Sequence, residues 1–277
     1  MTRCWALLLA TASTLVLAIP AGAIVVHQAV LRPGYAKGGL LVVLAIGSDL
    51  GPPHRPSDPL RGRADAVQLI AVDTVAKRAT IVGFPRDSLV AGAKLNAHLA
   101  AGGPQQVEAA LESYTGIPVD FWALTTFQGL TNMVDQMGGV DVIVDQPMQD
   151  RFSGSNFQPG PQHLAGGQAL AYVRDRYSVA GGDIGRSRHQ GELLRFAHAQ
   201  VRARQADLPT LTRLIATLSR NTVTNIPKHE LLAMVVLAIQ IDPASVAHVP
   251  LGGPAGGFVH LQPGPAFDRI RAGQVGP

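Results

Sequence analysis

The sequence predicts one α/β domain that follows an apolar N-terminal segment. Strand-like and helix-like stretches alternate through most of the 277 residues. Hydrophobic residues make up 47% of the chain, which is enough for a sizeable buried core. We find no internal repeat and no second set of core-forming stretches. These observations favour a single domain of the α/β class, and the uncharged N-terminal run adds the prediction of a membrane tether.

The apolar run 4–26 contains no charged residue and is about as long as the roughly 20 residues that cross a bilayer as a helix. The tripeptide 21–23, Ala-Gly-Ala, resembles a signal-peptidase site, so an uncut anchor and a cleaved signal peptide are both open. We favour the anchor because apolar residues continue past this site. An uncut anchor implies a single-pass protein of the cytoplasmic membrane, with residues 1–3 in the cytoplasm and a linker at 27–37 leading to an extracytoplasmic domain.

Three apolar stretches predict the first strands of the domain. Residues 40–46 form a continuous apolar run, and 66–73 and 79–84 are two further runs joined by a short turn. Sequential strands usually lie next to one another in a sheet. Because the connections are short, we expect an antiparallel meander.

Helical patterns dominate the rest of the chain. Residues 104–116 predict a helix with Pro104 at its start and Gly116 at its end. The other predicted helices are 127–139, 165–177, 186–205, 208–220 and 228–240, with strands at 140–145 and 244–251. We expect the domain to cover 38–251, and the Gly/Pro-rich tail 252–277 to be poorly ordered.

Charged residues stand at the ends of the first three predicted strands. Asp49 follows the first strand, Arg63 and Asp65 precede the second, and Arg86 and Asp87 follow the third. In an antiparallel meander these positions share one edge of the sheet. Two interpretations stay open: a functional cluster, or a solvated sheet edge with a structural arginine–aspartate pair.

A second concentration of charge lies between two predicted helices. If the backbone is extended beyond the first of them, Arg174 and Arg176 face the same way. The first-turn face of the next helix carries, by i, i+3, i+4 spacing, Arg186, His189 and Gln190. Cations at a helix N-terminus oppose the helix dipole unless an anion lies between them. The pattern therefore predicts an anion site.

Carboxylates and arginines together suit a phosphate ligand that is bridged by a divalent cation. Mg²⁺ takes one or two carboxylates plus substrate phosphates, and arginine forks bind the remaining oxygens in pairs. Such a composition is typical of a phosphoryl-transfer or pyrophosphate site. The sequence has no Walker A loop, which disfavours a P-loop nucleotide enzyme, and no Gly-x-Ser-x-Gly elbow, which disfavours a hydrolase of that type. It also has no His-Glu-x-x-His pair of metal-binding histidines.

Composition narrows the function classes further. The net charge of +4 is small and scattered, and no aromatic-rich basic stretch supports nucleic-acid binding. Cys4 is the one cysteine, which excludes an internal disulfide and a cysteine-based metal site.

Seven ordered motifs resemble those of the LytR-CpsA-Psr family. They are Gly-Ser-Asp at 47–49, Arg-x-Asp at 63–65, Pro-Arg-Asp at 85–87, Lys-x-Asn-Ala at 94–97, Gly-Gly-Val-Asp at 138–141, Arg-x-Arg at 174–176 and Asp-x-Gly-Arg at 183–186. The resemblance covers about residues 38–195. It implies an α/β/α domain with a central mixed sheet and a hydrophobic groove for a polyprenyl chain, held by an N-terminal transmembrane helix.

The activity that the resemblance implies is transfer of a glycopolymer from a polyprenyl-pyrophosphate carrier to peptidoglycan, with Mg²⁺ (or Mn²⁺), through a phosphodiester. Its partners are then the lipid-linked glycopolymer, peptidoglycan and the cytoplasmic membrane, and its process is cell-wall assembly. Two alternatives stay open. One is a polyprenyl-pyrophosphate phosphatase, in which water replaces the sugar hydroxyl, and the other is a tethered protein that binds wall polymers or lipid phosphates without reaction.

The resemblance also assigns residues. Asp49 and Asp65 resemble metal-binding carboxylates. Five residues match the family's catalytic positions around the pyrophosphate: Arg63, Arg86, Asp87, Arg174 and Arg176. Of these, Asp87 is the candidate proton acceptor. Five further residues match the family's substrate-binding positions: Lys94, Asn96, Arg186, His189 and Gln190. Asn96 would also suit a simple turn cap. His189 stands where the family usually has arginine, which predicts a pH-dependent anion contact.

Overall fold

The computed structural model describes residues 37–50, 59–204, 208–262 and 264–277. The predicted anchor 4–26, the residues before it and all but the last residue of the linker 27–37 lie outside the described residues. Within the described ranges, no helix has both the length and the apolar composition that crossing a membrane requires.

Strands and helices alternate as the class predicts. The strands are β1 Leu40–Ser48, β2 Ala64–Asp73, β3 Arg78–Phe84, β4 Leu89–Val90, β5 Ala93–Lys94, β6 Phe121–Thr126, β7 Val140–Val144, β8 Met148–Asp150, β9 Ser155–Phe157, β10 Gly160–Leu164, β11 Thr222–Thr224, β12 Val246–Pro250, β13 Ala255–Gly256 and β14 Phe258–Val259. The helices are α1 Leu95–Gly102, α2 Pro104–Thr115, α3 Phe127–Gln136, α4 Gly166–Arg174, α5 Asp183–Ala203, α6 Leu208–Asn221, α7 Leu231–Gln240 and α8 Ala266–Arg271.

The centre of the fold is a mixed six-stranded sheet in the order β11-β6-β1-β2-β3-β12. Strands β1, β2 and β3 pair antiparallel, so the predicted meander is confirmed. Strand β6 adds parallel to β1, and β12 adds parallel to β3. The sequence prediction lacked β6, because no glycine or proline separates this strand from α3: Thr126 ends the strand and its side chain caps the helix.

Both faces of the sheet are covered, which explains why its central strands are predominantly apolar. Leu44 and Leu69 point to one face and pack in a cluster with Leu111 of α2. Leu41, with the opposite parity on β1, packs in a second cluster with Leu237 of α7. Each fully buried leucine contributes about 1.5–3 kcal/mol.

A third core lies beside the sheet, between α3, α4, α5 and the β7–β10 hairpin. The predicted strand 140–145 forms β7, but it pairs with β10 instead of joining the central sheet. Tyr172 and Leu193 are buried in this cluster with Val140. The exposed residues that alternate along β7 show that this hairpin has one solvent face.

The tail 252–277 differs from its predicted poor order. Phe267 of α8 is 5% exposed, and its ring stacks on Phe84 with centroids 6.0 Å apart. Ile270, three residues further along α8, is 1% exposed and belongs to the same core cluster. This apolar i, i+3 pair supplies a buried helix face within an otherwise Gly/Pro-rich segment.

Candidate functional site

The charges at the ends of the first three strands gather at one edge of the central sheet. Asp49 accepts hydrogen bonds from the backbone N–H of Arg63 at 2.7 Å and from its Nε at 2.9 Å. Asp65 accepts from Nη1 of Arg86 at 2.5 Å. The first arginine is 61% exposed and the second only 16%, so the Asp65–Arg86 pair is the inner one.

A β-bulge sets the direction of the Asp65 side chain. Gly47 lies opposite Ala66, but Ser48 lies opposite Ala64, so Asp65 is the extra residue on β2. A bulge of this kind bends the strand and re-aims a side chain, and it often lies beside a functional site. Asp65 accordingly lines the cleft next to the sheet edge.

The Arg86 guanidinium is held charged in a largely buried position. Burial acts to lower the pKa of Arg86, but the Asp65 carboxylate, helped by Asp87 and Asp183, outweighs it and leaves the pKa raised. Among the described residues, the buried Nε of Arg86 has no hydrogen-bond partner. Oδ1 of Asp87 lies 3.9 Å from this nitrogen, which is an ion-pair distance but not a hydrogen-bond distance, so the donor can still serve a ligand acceptor.

A second buried guanidinium comes from the first turn of α5. Arg186 is 5% exposed and pairs with Asp183, which also accepts a 3.3 Å hydrogen bond from the backbone N–H of Asp87. Burial lowers the pKa of Arg186, and the nearby cations Arg86 and Arg176 lower it further, against the opposing pull of the carboxylates. These arginines are close enough to repel one another, so an anion among them is favoured.

Asp65 and Arg186 border a cleft that is open to solvent. Its polar lining comes from Asp65, Arg174, Arg186 and Gln190, and its apolar lining from Phe127, Leu130, Leu170 and Val173. The Arg174 guanidinium lies over the Phe127 ring, 4.8 Å from its centroid. Gln190 donates to the backbone carbonyl groups of Asp65 at 3.0 Å and Val173 at 3.3 Å, tying α5 to both walls.

The Lys-x-Asn pair converges on Asp87. The Nζ of Lys94 lies 3.5 Å from Oδ1 of Asp87, and Nδ2 of Asn96 donates to the same oxygen at 3.3 Å. The backbone N–H of Asn96 also donates to the carbonyl of Arg86 at 2.9 Å. Asn96 therefore does more than cap a turn: it holds Asp87 next to Arg86.

His189 does not lie where the sequence analysis expected it. Its side chain is fully buried, its ring packs 4.8 Å from that of Tyr172, and its Nε2 lies 3.3 Å from Oδ1 of Asp145. Arg186 and Gln190, four residues apart, share the cleft face of α5, whereas His189 turns toward the third core. A direct pH-dependent anion contact by this residue is therefore not what the structure supports.

We expect His189 to affect stability instead. Burial lowers its pKa, with Arg188 adding to the effect, while Asp145 and Asp175 act the other way. Because the folded protein holds the ring neutral, the unfolded state takes up a proton first as the pH falls below about 6.5. The free energy of unfolding should therefore decline between pH 7.5 and 5.5, and less steeply in a His189→Gln variant. Denaturant titrations at several pH values measure this decline. The same dependence of the unfolding free energy on pH in both proteins would contradict the prediction.

The model of the LytR_cpsA_psr family matches residues 25–255, which is most of the chain. The protein belongs to the LytR-CpsA-Psr family.

Curated relatives agree with this membership. Biofilm regulatory protein A of Streptococcus mutans is 30% identical over 203 residues, which cover 66% of this chain and 49% of the relative. A Bacillus mycoides protein named polyisoprenyl-teichoic acid–peptidoglycan teichoic acid transferase TagU is 28% identical over 205 residues, covering 72% of this chain and 64% of the relative. The chain thus spans about half to two thirds of the length of these relatives.

Solved structures share the fold. Bacillus subtilis TagV matches with a TM-score of 0.70 at 24% identity, covering 86% of this chain and 96% of that one. A LytR-Csp2A-Psr enzyme from Actinomyces oris matches with a TM-score of 0.69 at 22% identity, covering 86% and 90%. TagT bound to LI-WTA matches with a TM-score of 0.66 at 22% identity, covering 88% and 91%. At these identities the likeness shows the fold, a mixed α/β domain.

Two residues of this LytR-CpsA-Psr site escaped the sequence analysis. Asp183 pairs with Arg186 and accepts from the Asp87 backbone, and its place in the Asp-x-Gly-Arg motif was a signal for it. Phe127 lines the cleft under Arg174. It follows the unpredicted strand β6, so nothing in the sequence pattern marked it as a site residue.

Few side chains at this site could bind a metal ion. Within the described ranges, no three His, Cys, Asp or Glu side chains are grouped to hold an ion. Asp49 and Asp65 offer carboxylates, but each already accepts from an arginine. The residues fit a Mg²⁺ ion that takes one or two carboxylates and completes its shell with substrate phosphates and water, and they do not form a closed protein cage.

Proposed function

We propose that this protein transfers a glycopolymer from a polyprenyl-pyrophosphate carrier to peptidoglycan during cell-wall assembly. The observation that carries the proposal is one cleft in which the buried guanidinium of Arg186 and the Asp65 carboxylate, the partner of the buried Arg86, adjoin apolar walls. Buried, mutually repelling arginines suit a diphosphate, and the apolar lining suits the lipid next to it. Relatives named as teichoic acid transferases support the same reaction.

The donor lies across the cleft in this proposal. Leu130, Leu170 and Val173 contact the polyprenyl chain near the pyrophosphate. The orphaned Nε of Arg86, together with Arg174, donates to the phosphate oxygens. A Mg²⁺ ion bound by Asp65, with Asp49 as the second carboxylate, would supply positive charge to those oxygens. The apolar segment 4–26 keeps the domain at the outer face of the cytoplasmic membrane, where such a donor resides.

The reaction is a substitution at phosphorus. A sugar hydroxyl of peptidoglycan attacks the phosphorus next to the glycopolymer, a new P–O bond forms, and the phosphoanhydride bond breaks. The bonding electron pair leaves with polyprenyl phosphate, whose growing charge Arg86 and Arg186 neutralise. The hydroxyl proton passes to the Asp87 carboxylate, which Asn96 and Lys94 hold in place.

Acceptor dependence tests the proposal. The full-length protein in detergent is incubated with a lipid-pyrophosphate-linked glycan, with or without peptidoglycan, and with Mg²⁺ or EDTA. We expect a new glycan phosphodiester and free polyprenyl phosphate only when peptidoglycan and Mg²⁺ are both present. Release of the phosphorylated glycan at the same rate without acceptor would identify a phosphatase. Binding of the lipid with no release in any mixture would identify a binding protein.

A further inference from the structure

An exposed pair of aromatic rings has no role in the chemistry above, and one of them lies three residues after Arg174, which lines the cleft. Phe152, on the turn between β8 and β9, is 62% exposed, and Tyr177, after α4, is 65% exposed. Their ring centroids are 5.1 Å apart. The guanidinium of Arg151 lies 4.7 Å from the Phe152 centroid, and that of Arg176 lies 5.1 Å from the Tyr177 centroid. We call these four residues the aromatic platform.

The aromatic platform rests on a buried polar foundation. Asp175, which is 0% exposed, accepts from the Oγ of Ser155 at 2.6 Å, from the Oγ of Ser178 and from the backbone N–H of Tyr177 at 3.2 Å. Oγ of Ser178 in turn accepts from the backbone N–H of Gln149 at 2.9 Å. The β8–β9 hairpin is thereby fixed to the segment after α4. Single exposed apolar side chains are ordinary, but two that contact each other and have a buried, hydrogen-bonded support indicate a binding surface.

The order of side chains along α4 relates the platform to the cleft. Leu170 and Val173 form part of the apolar wall, and Arg174 follows as the first cation. Asp175 is extended, with φ −62° and ψ 127°, and the platform residues Arg176 and Tyr177 come next. Maximal chain reach puts Tyr177 no more than about 14 Å from Val173. Apolar, cationic and aromatic surfaces therefore follow one another along a short path.

Arg176 belongs to both regions. Its charge is close enough to Arg186 to lower the pKa of that buried guanidinium, while its own guanidinium lies over the Tyr177 ring. A ligand that places phosphate among the arginines thus has its next group at the platform. If the lipid lies on the Leu170 side, that next group is the first sugar.

We propose that the aromatic platform binds the sugar residues that adjoin the pyrophosphate of the donor, an inference that rests on the proposed function. The C–H faces of a pyranose pack on Phe152 and Tyr177, and its hydroxyl or anionic substituents accept from Arg151 and from the phenol group of Tyr177. A membrane surface is the competing partner for exposed aromatic and basic side chains. The continuity of the platform with the pyrophosphate site favours the sugar.

Two lipids separate these possibilities: a polyprenyl pyrophosphate, and the same lipid carrying one or two N-acetylhexosamine residues. Binding of each to the full-length protein in uncharged detergent is measured for the wild type and for Phe152→Ala/Tyr177→Ala. We expect the double variant to bind the sugar-bearing lipid about tenfold more weakly and the sugar-free lipid unchanged. Ile143→Ala, at a residue that is 61% exposed on β7, is the matched control and should change neither affinity.

Equal weakening for both lipids, or no weakening for either, would overturn the platform assignment. A loss of binding to lipid vesicles that contain no pyrophosphate lipid would assign the platform to the membrane and overturn it as well. Tyr177→Phe keeps both aromatic rings and should retain most of the affinity for the sugar-bearing lipid. If the wild type binds neither lipid, the proposed function itself fails, whereas equal affinity of the wild type for both lipids removes the platform inference alone.

Discussion

Replacement of Asp65 by Asn should lower the rate of polyprenyl phosphate release by about a thousandfold, or about 4 kcal/mol in the activation barrier. The substitution keeps the size of the side chain but removes its charge. Asp65 is aimed at the cleft by a bulge and holds Arg86 at 2.5 Å, so the change removes a proposed Mg²⁺ ligand and the charged partner of the inner arginine. Release of polyprenyl phosphate from the lipid-linked donor, followed over a Mg²⁺ titration, measures the effect.

The control for Asp65→Asn is Asp141→Asn. The Asp141 side chain is 72% exposed and pairs only with an exposed histidine among the contacts of the described chain, so its loss should leave the rate unchanged. Unfolding midpoints of both variants show whether the fold survives. An Asp65→Asn protein that is folded and releases product at the wild-type rate, with the same Mg²⁺ dependence, would remove the carboxylate from the mechanism.

Replacement of Arg86 by Lys should reduce kcat/KM by about a hundredfold although the positive charge is kept. Lysine provides one compact ammonium group, whereas Arg86 uses Nη1 on Asp65 and leaves the buried Nε for a ligand. Lysine cannot serve both acceptors in that geometry. If Arg86 neutralises charge that develops on the leaving phosphate, the loss should fall mainly on kcat.

Arg78→Lys is the matched control for Arg86→Lys, because Arg78 begins β3 in an exposed position and Arg86 follows the end of the same strand. We expect wild-type kinetics for it. A loss confined to KM in Arg86→Lys would assign the residue to ground-state binding. A large fall in its unfolding midpoint with unchanged kinetics would make the Asp65–Arg86 pair structural, the alternative that the sequence left open.

The parts of this fold that the sequence predicts are those held by contacts between residues close together in the chain. Strands β1 to β3 have predominantly apolar sequences and short connections, so their meander and the shared edge of Asp49, Asp65 and Arg86 could be derived from periodicity alone. The parallel partner β6 could not, because its neighbour β1 is about eighty residues away in the chain and no turn residue marks its end. The motifs supplied what periodicity lacked, since they brought Arg174 and Arg186 to the same site.

The errors have a common physical origin. His189 was placed by helical spacing, which gives the angle around α5 but not which of its faces meets a core and which meets the cleft. The tail was judged by its glycines and prolines, although two apolar residues of α8 suffice to bury a single helical turn against Phe84. In both cases long-range packing decided the outcome, and one sequence does not display it.

The docking of α8 has a consequence for the order of folding. Phe267 and Ile270 complete the cluster that also holds Phe84, and Pro85 and Arg86 follow directly on that ring. Without α8, this part of the interior would be open to water. The inner arginine therefore acquires its final surroundings only when a helix from much later in the chain has docked, which couples closure of this part of the core to completion of the site.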